Sequence, residues 1–241
     1  QRGVRAPEIV FTAGGTEANN LAVSGIMASF PRGNVVVSSL EHHSVLRPAG
    51  QYKARRVKVQ TDGLIDLADL KKKIDDQTVL VSVMYANNEI GTVQPIRKIA
   101  SIITKIRDDR QKKGDLLPIY LHTDACQAAA YLDLHISKLG VDLMTINGGK
   151  IYGPKQSGVL MVKTGTALKP QILGGGQERG LRSGTENVAA AVGLAEALDI
   201  VQARRQDETS RLKKLRDLFI NELTKHIPQA VVNGSVKCRL P

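Results

Sequence analysis

Short apolar runs alternate with helix-patterned stretches along nearly the whole chain, and most of the runs stop at a glycine or a polar residue. That alternation constrains the fold more than any other feature. Strand–helix–strand units in series make a mainly parallel sheet, connected right-handedly and covered by helices on both faces. The expected class is therefore α/β with three layers. In such sheets ligands collect beyond the carboxyl ends of the strands.

The most informative stop follows residues 141–146, an alternating run that reads as a buried or half-buried strand. It gives way to Asn147-Gly148-Gly149, where the backbone can take conformations closed to other residues. Lys150 comes next, ahead of Ile151-Tyr152-Gly153-Pro154. A lysine in a tight turn is commonly a solvated one. On a glycine-rich loop at a strand edge it is also placed to act as a nucleophile toward a carbonyl.

Other strand ends carry comparable signals. Residues 8–12 read as a short strand that runs into Ala13-Gly14-Gly15-Thr16-Glu17, and a helix bearing Leu21, Val23, Ile26 and Met27 follows. A strand, two glycines and a helix start point backbone N–H groups at an anion. The glycine spacing fits neither a dinucleotide fingerprint nor a P-loop. A small phosphate monoester is the natural guest, and a plain N-cap turn is the alternative.

The strand over residues 34–39 ends at Glu41-His42-His43-Ser44, with a helix beginning near Ser44. His42 is the candidate of the pair, because an imidazole at a strand's end can lie over an aromatic ligand and relay protons. Asp66 opens a capped amphipathic helix. A buried strand over residues 78–85 ends at Asn87-Asn88-Glu89-Ile90-Gly91, whose amides suit a ligand heteroatom. A helix over 95–110 precedes a strand over 116–123, and that strand ends at Asp124-Ala125-Cys126-Gln127. An acidic residue in that place reads as a buried, paired carboxylate.

Further strands are expected over 157–162 and 171–173. Ser183 and Glu186 have capping-box spacing for a helix that runs, with a kink, toward residue 227. The loop before it carries Arg179 and Arg182 among glycines and suits an anionic group.

Composition narrows the function. At 241 residues and 42% hydrophobic the chain can bury a large core, and no apolar run approaches membrane-spanning length. Aromatics are 3% and tryptophan is absent, which argues against a nucleobase-stacking surface. Two cysteines, Cys126 and Cys238, make neither a disulfide framework nor a zinc spacing, so a reducing cytoplasm is expected and no metal site. The net charge of +11 is spread in short clusters and reads as a solvated basic surface rather than a nucleic-acid footprint.

Gly15-Thr16, His42, Asn88, Asp124 and Lys150 all fall at strand ends. Together they describe a site for a flat, phosphorylated, carbonyl-bearing cofactor with a basic ring nitrogen. Pyridoxal phosphate meets that description.

In order along the chain, Gly14-Gly15-Thr16-Glu17, Glu41-His42, Asn87-Asn88-Glu89-Ile90-Gly91, His122-Thr123-Asp124-Ala125, Lys150-Ile151-Tyr152-Gly153-Pro154 and the loop over 174–185 resemble the motifs of cysteine desulfurases. These are class V aminotransferase-like, fold-type I pyridoxal-phosphate enzymes, and selenocysteine lyases are close relatives. The resemblance implies that Lys150 is the Schiff-base lysine, Asp124 the partner of the pyridine nitrogen, and His42 the histidine stacked on the ring and active in proton transfer. It gives Gly15 and Thr16 to the phosphate loop and Asn88 and Gln127 to the ring's oxygen substituent. Asn147 stands where the family commonly has a phosphate-binding serine. Thr185 matches a threonine that reaches the phosphate of the neighbouring subunit, which implies a homodimer.

The resemblance also implies L-cysteine as substrate, alanine as product, and sulfur passed to an enzyme cysteine that lies outside this chain. A sulfur acceptor or scaffold protein of iron–sulfur cluster assembly or thiolation would follow. Gly149 departs from the pattern, since the family usually has histidine before the lysine. Residues 1–230 are expected to be an N-terminally incomplete large domain that holds the cofactor, and residues 231–241 the start of a C-terminal small domain whose first strand begins at Val231. By itself such a chain should not turn over. The alternatives are a selenocysteine lyase or another class V lyase or aminotransferase, and a non-catalytic scaffold of the same fold.

Overall fold

The computed structural model describes residues 4–241. Seven strands form one sheet: β1 (Ile9–Thr12), β2 (Asn34–Ser38), β3 (Ala54–Val57), β4 (Thr78–Ser82), β5 (Tyr120–Asp124), β6 (Leu143–Asn147) and β7 (Gly158–Val162). Their spatial order is β1-β7-β6-β5-β4-β2-β3. The ladders from β6 through β5, β4 and β2 to β3 are parallel, and β7 runs antiparallel to both its neighbours. The expected mainly parallel α/β sheet is thus present, with one reversed strand near an edge.

Helices α1 (Gly15–Ser29), α2 (His43–Ala49), α3 (Leu67–Lys73), α4 (Ile96–Lys112), α5 (Ile136–Leu139), α6 (Val188–Ala203) and α7 (Arg205–His226) complete the fold. The central strands are buried on both faces, as their runs of valine and leucine require. Alternate side chains separate two cores. Val35 and Val37 pack with Leu21 and Ile26 of α1, while Val36 joins Val81, Ile99 and Leu121 beneath α4. Asp66 caps α3 as expected, accepting hydrogen bonds from the N–H groups of Ala68 and Asp69.

Several expectations fail for physical reasons. Residues 171–173 form no strand: they lie between Pro170 and Gly174, Leu173 is 81% exposed, and the Ser183 N–H bond to Ile172 O at 3.2 Å does not extend into a ladder. Ser183 and Glu186 cap nothing. The Ser183 hydroxyl accepts from Gly176 N–H at 3.3 Å, and Asn187 caps α6 instead, its side chain accepting from Ala190 N–H. The kink in the long C-terminal helix is real and falls at Arg204, between α6 and α7. Residues 231–234 carry no regular secondary structure. The tail returns to the body through Leu240 N–H on Gly91 O and Val93 N–H on Cys238 O, at 2.8 Å each.

Strand β3 had no forecast. Its Ala54-Arg55-Arg56-Val57 sequence is charged because it is an edge, where charge discourages further pairing. Among the described residues no helix is long and apolar enough to cross a membrane.

Leu121 is fully buried at the centre of the sheet, whereas Leu116 is 94% exposed. Leu121→Ala should lower unfolding free energy by about 2–5 kcal/mol in a denaturant titration, and Leu116→Ala should leave the midpoint nearly unchanged.

Candidate active site

The carboxyl ends of β2, β4, β5 and β6 and the start of α1 enclose a cavity of about 240 Å³. Asp124, the last residue of β5, is buried at its wall. Its carboxyl group is satisfied by two donors: Cys126 N–H reaches Oδ1 at 2.9 Å and the Asn19 amide reaches Oδ2 at 2.6 Å. The expectation of a buried and paired group therefore holds, with an amide and a backbone N–H as the partners.

Helix α1 begins where β1 ends. Gly14 has φ 144°, a conformation that side chains rarely adopt, and it turns the chain into the helix. By helix geometry the first-turn N–H groups of Gly15 and Thr16 have no intrahelical acceptor, and they lie at the cavity. A Cβ on Gly15 would sit 2.8 Å from Cys126 Sγ and 3.3 Å from Asn147 Cβ, so glycine keeps this end of the cavity open. Asn147 ends β6 and also lines the cavity. Its Oδ1 accepts from Gly149 N–H at 3.1 Å, which leaves its Nδ2 donor group free among the described residues.

Lys150 closes a 3-10 turn over Gly148–Lys150 and is itself exposed to the cavity, while the next residue, Ile151, is fully buried and anchors the turn. His42 caps α2 with its ring: Ser44 N–H donates to Nδ1 at 3.1 Å. Asn88 and Gln127 complete the lining. Two predicted residues fall outside this lining. Gly149 is exposed beside it. Thr185 lines a separate cavity of about 170 Å³ together with Arg182, whose guanidinium meets Glu17 of α1 at 2.7 Å.

Sequence reasoning missed Asn19, Ser44 and Met84, all of which line the cavity, and gave Glu41 no role. Asn19 stands one helical turn beyond Gly15, so its presence on the same face was readable from the 3.6-residue period. Glu41 is fully enclosed, and Met84 N–H donates to its Oε1 at 2.6 Å. Burial, with the Asp124 charge as a lesser cause, pushes its carboxyl well above the usual range.

Behind Asp124, His122 lies between Ser82 Oγ at 2.8 Å and Thr145 Oγ1 at 3.1 Å. Burial lowers its pKa to about 4. The Cys126 thiol is pushed far up by burial and by Asp124, so it is a packing atom and a poor thiolate.

The arrangement matches a family model described as aminotransferase class-V over residues 3–240. The chain belongs to that family. It is 40% identical over 246 residues to the cysteine desulfurase IscS of Dictyoglomus turgidum, covering 99% of this chain and 60% of that protein. It is 42% identical over 241 residues to cysteine desulfurase IscS 1 of Archaeoglobus fulgidus, covering 97% and 60%. Among solved structures, a NifS-like protein superposes with TM-score 0.88 at 32% identity, covering 99% of this chain and 64% of its own. A NifS-like protein from Rickettsia africae gives 0.84 at 31%, covering 97% and 62%. The chain thus spans about 60% of the length of these curated relatives, and the resemblance read from its motifs is the one the comparisons return.

His122 makes acid stability a test of the site's floor. As pH falls through 6.5 the unfolded imidazole takes up a proton, while the native one stays neutral until about pH 4. Stability is therefore lost across that window, by about 3 kcal/mol from this group. Denaturant midpoints measured between pH 6.5 and 4 should fall more steeply for wild type than for His122→Asn.

Proposed function

We propose that the protein is a pyridoxal-phosphate-dependent cysteine desulfurase that converts L-cysteine to L-alanine and passes the sulfur to an enzyme cysteine other than Cys126 and Cys238. One observation carries the reading. A lysine, a buried aspartate, a histidine and an anion-ready helix start, drawn from four distant segments, line one cavity.

The donor set fits the cofactor. The Gly15 and Thr16 N–H groups with the Asn147 amide suit a phosphate, in a cradle that a Cβ at Gly15 would fill. Asp124 suits a ring nitrogen that carries a proton, and the Asn88 and Gln127 amides suit an oxygen substituent. When bound, pyridoxal phosphate supplies an aldehyde for amines and a ring that withdraws electrons from the substrate's α-carbon. Lys150 would hold the cofactor through Nζ, and the same atom could accept or give a proton near the substrate. His42, on the same lining, would cover and orient the ring. Asp124, held by Asn19 and by Cys126 N–H, would favour a protonated ring nitrogen.

Neither cysteine suits the sulfur-accepting role. Cys126 is held as a neutral thiol, and Cys238 lies away from Lys150, near Gln60 and Lys98. Thr185 lines a cavity separate from that of Lys150, on a loop tied to α1 by the Arg182–Glu17 bond, and we take it to serve the partner's site in a homodimer. We further take residues 231–241 as the start of a second domain and the cytoplasm as the compartment. The two unpaired cysteines support the latter.

Borohydride treatment of the cofactor-loaded protein should fix pyridoxal phosphate to the peptide that contains Lys150, and Lys150→Ala should abolish that mass shift. Retention of the adduct in Lys150→Ala would overturn the lysine's role. Selenide release far above sulfide release would move the reading to selenocysteine lyase.

Gly149 gives a second test. Its φ is not positive, and a Cβ there would meet nothing closer than Asn147 Oδ1 at 3.5 Å. Gly149→His should fold normally and tighten cofactor binding about tenfold, the scale of one added hydrogen bond to a charged group. Spectrophotometric titration with pyridoxal phosphate reads the change.

A further inference from the structure

Asp124 and His42, which the proposed function sets at the edge and over the face of one ring, are joined by an unbroken chain of hydrogen bonds. Asn19 is 1% exposed, and its Nδ2 lies 2.6 Å from Asp124 Oδ2 and 2.8 Å from Ser44 Oγ. An amide nitrogen has two hydrogens, so both are used. The reverse amide orientation would point an oxygen at the Asp124 carboxyl, whereas in this one Oδ1 is the buried atom left without a partner. Ser44 Oγ therefore accepts from Asn19. Its own hydrogen is left to point at His42 Nδ1, 2.7 Å away. Ser44 N–H donates to the same Nδ1 at 3.1 Å. A backbone N–H can only donate, so Nδ1 must present a lone pair and the ring proton must sit on Nε2.

We propose that Asn19 and Ser44 are positioning residues that hold His42 as its Nε2–H tautomer and tie the ring's orientation to the Asp124 carboxyl group. The inference rests on the proposed function only for its catalytic meaning; the tautomer follows from the hydrogen bonds alone. With the ring neutral, Nε2 is then the atom of His42 that can donate a hydrogen bond, and Nδ1 is committed to Ser44. Any movement of a proton through Nδ1 requires the Ser44 hydroxyl to turn. The same contact caps α2, so the helix start and the ring are oriented together.

Two measurements test this. Long-range proton–nitrogen NMR of the unloaded protein, with His42 assigned by His42→Asn, should show a protonated Nε2 and a bare Nδ1 when the ring is neutral. A neutral ring with its proton on Nδ1 would overturn the proposal. This needs no variant of Asn19 or Ser44 to fold and no cofactor to bind, so its outcome is separate from that of the borohydride test of Lys150.

The second measurement is a double-mutant cycle on pyridoxal phosphate affinity. Asn19→Ala should weaken binding about tenfold or more, as expected for a lost bond to a charged group. Ser44→Ala should weaken it less. The double variant should bind no worse than Asn19→Ala, because the residues act in series. Strictly additive losses would overturn the link, and Ser44→Thr, which keeps the hydroxyl, should restore wild-type affinity.

Discussion

An acidic side chain enclosed at the end of a central strand must find donors or lift its own proton affinity, and Asp124 finds them. One of its two partners is local, the N–H of Cys126 two residues on. The other is the amide of Asn19, more than a hundred residues away in sequence. That second bond requires α1 to cross the end of β5 with its first turns facing inward. Gly15 lies one turn before Asn19 on the same helix face, so the anion-ready end of the helix is set at a fixed distance from the carboxyl group. The spacing between a phosphate cradle and a ring-nitrogen partner is thus built into a single helical turn.

The sheet supplies the rest of the placement. Asp124 pairs with Thr145 across the β5–β6 ladder, and Lys150 follows on the turn after β6. On the other side, Tyr85 N–H bonds to Asp124 O at 2.8 Å, beyond the nominal end of β4. That extra pairing carries the chain on to Asn88 at the cavity edge. A lysine and an amide thereby flank the carboxyl group from neighbouring strands. The buried triad of Ser82, His122 and Thr145 lies on the same strands one step further in. It keeps a polar layer satisfied under the site without placing charge there.

Much of this was readable from the sequence, because strand ends are marked by local chemistry. Asn147-Gly148-Gly149 stops a strand wherever it occurs, and glycines at 14 and 15 start a helix with its N–H groups bare. The unreadable parts are those decided by distant packing. β3 hid because an edge strand carries charge where a central one carries valine. Residues 171–173 looked like a strand by composition, yet a strand needs a ladder, and none is available there. Ser183 read as the cap of the helix that follows, but its hydroxyl accepts from the Gly176 N–H, and Asn187 caps α6 instead. Ser44 and Asn19 acquire their roles only when α1 and α2 pack together and α1 reaches the end of β5.

Asp124 also decides what the site cannot do by itself. Cys126 lies in the cavity wall, two residues away, and its N–H helps hold the carboxyl group. The negative charge that suits a protonated ring nitrogen works, together with burial, against a thiolate at Cys126. A sulfur nucleophile needs the opposite surroundings: exposure and positive charge. Cys126 lacks that exposure, and the exposed residues of the lining, Thr16, His42, Asn88 and Lys150, carry no sulfur.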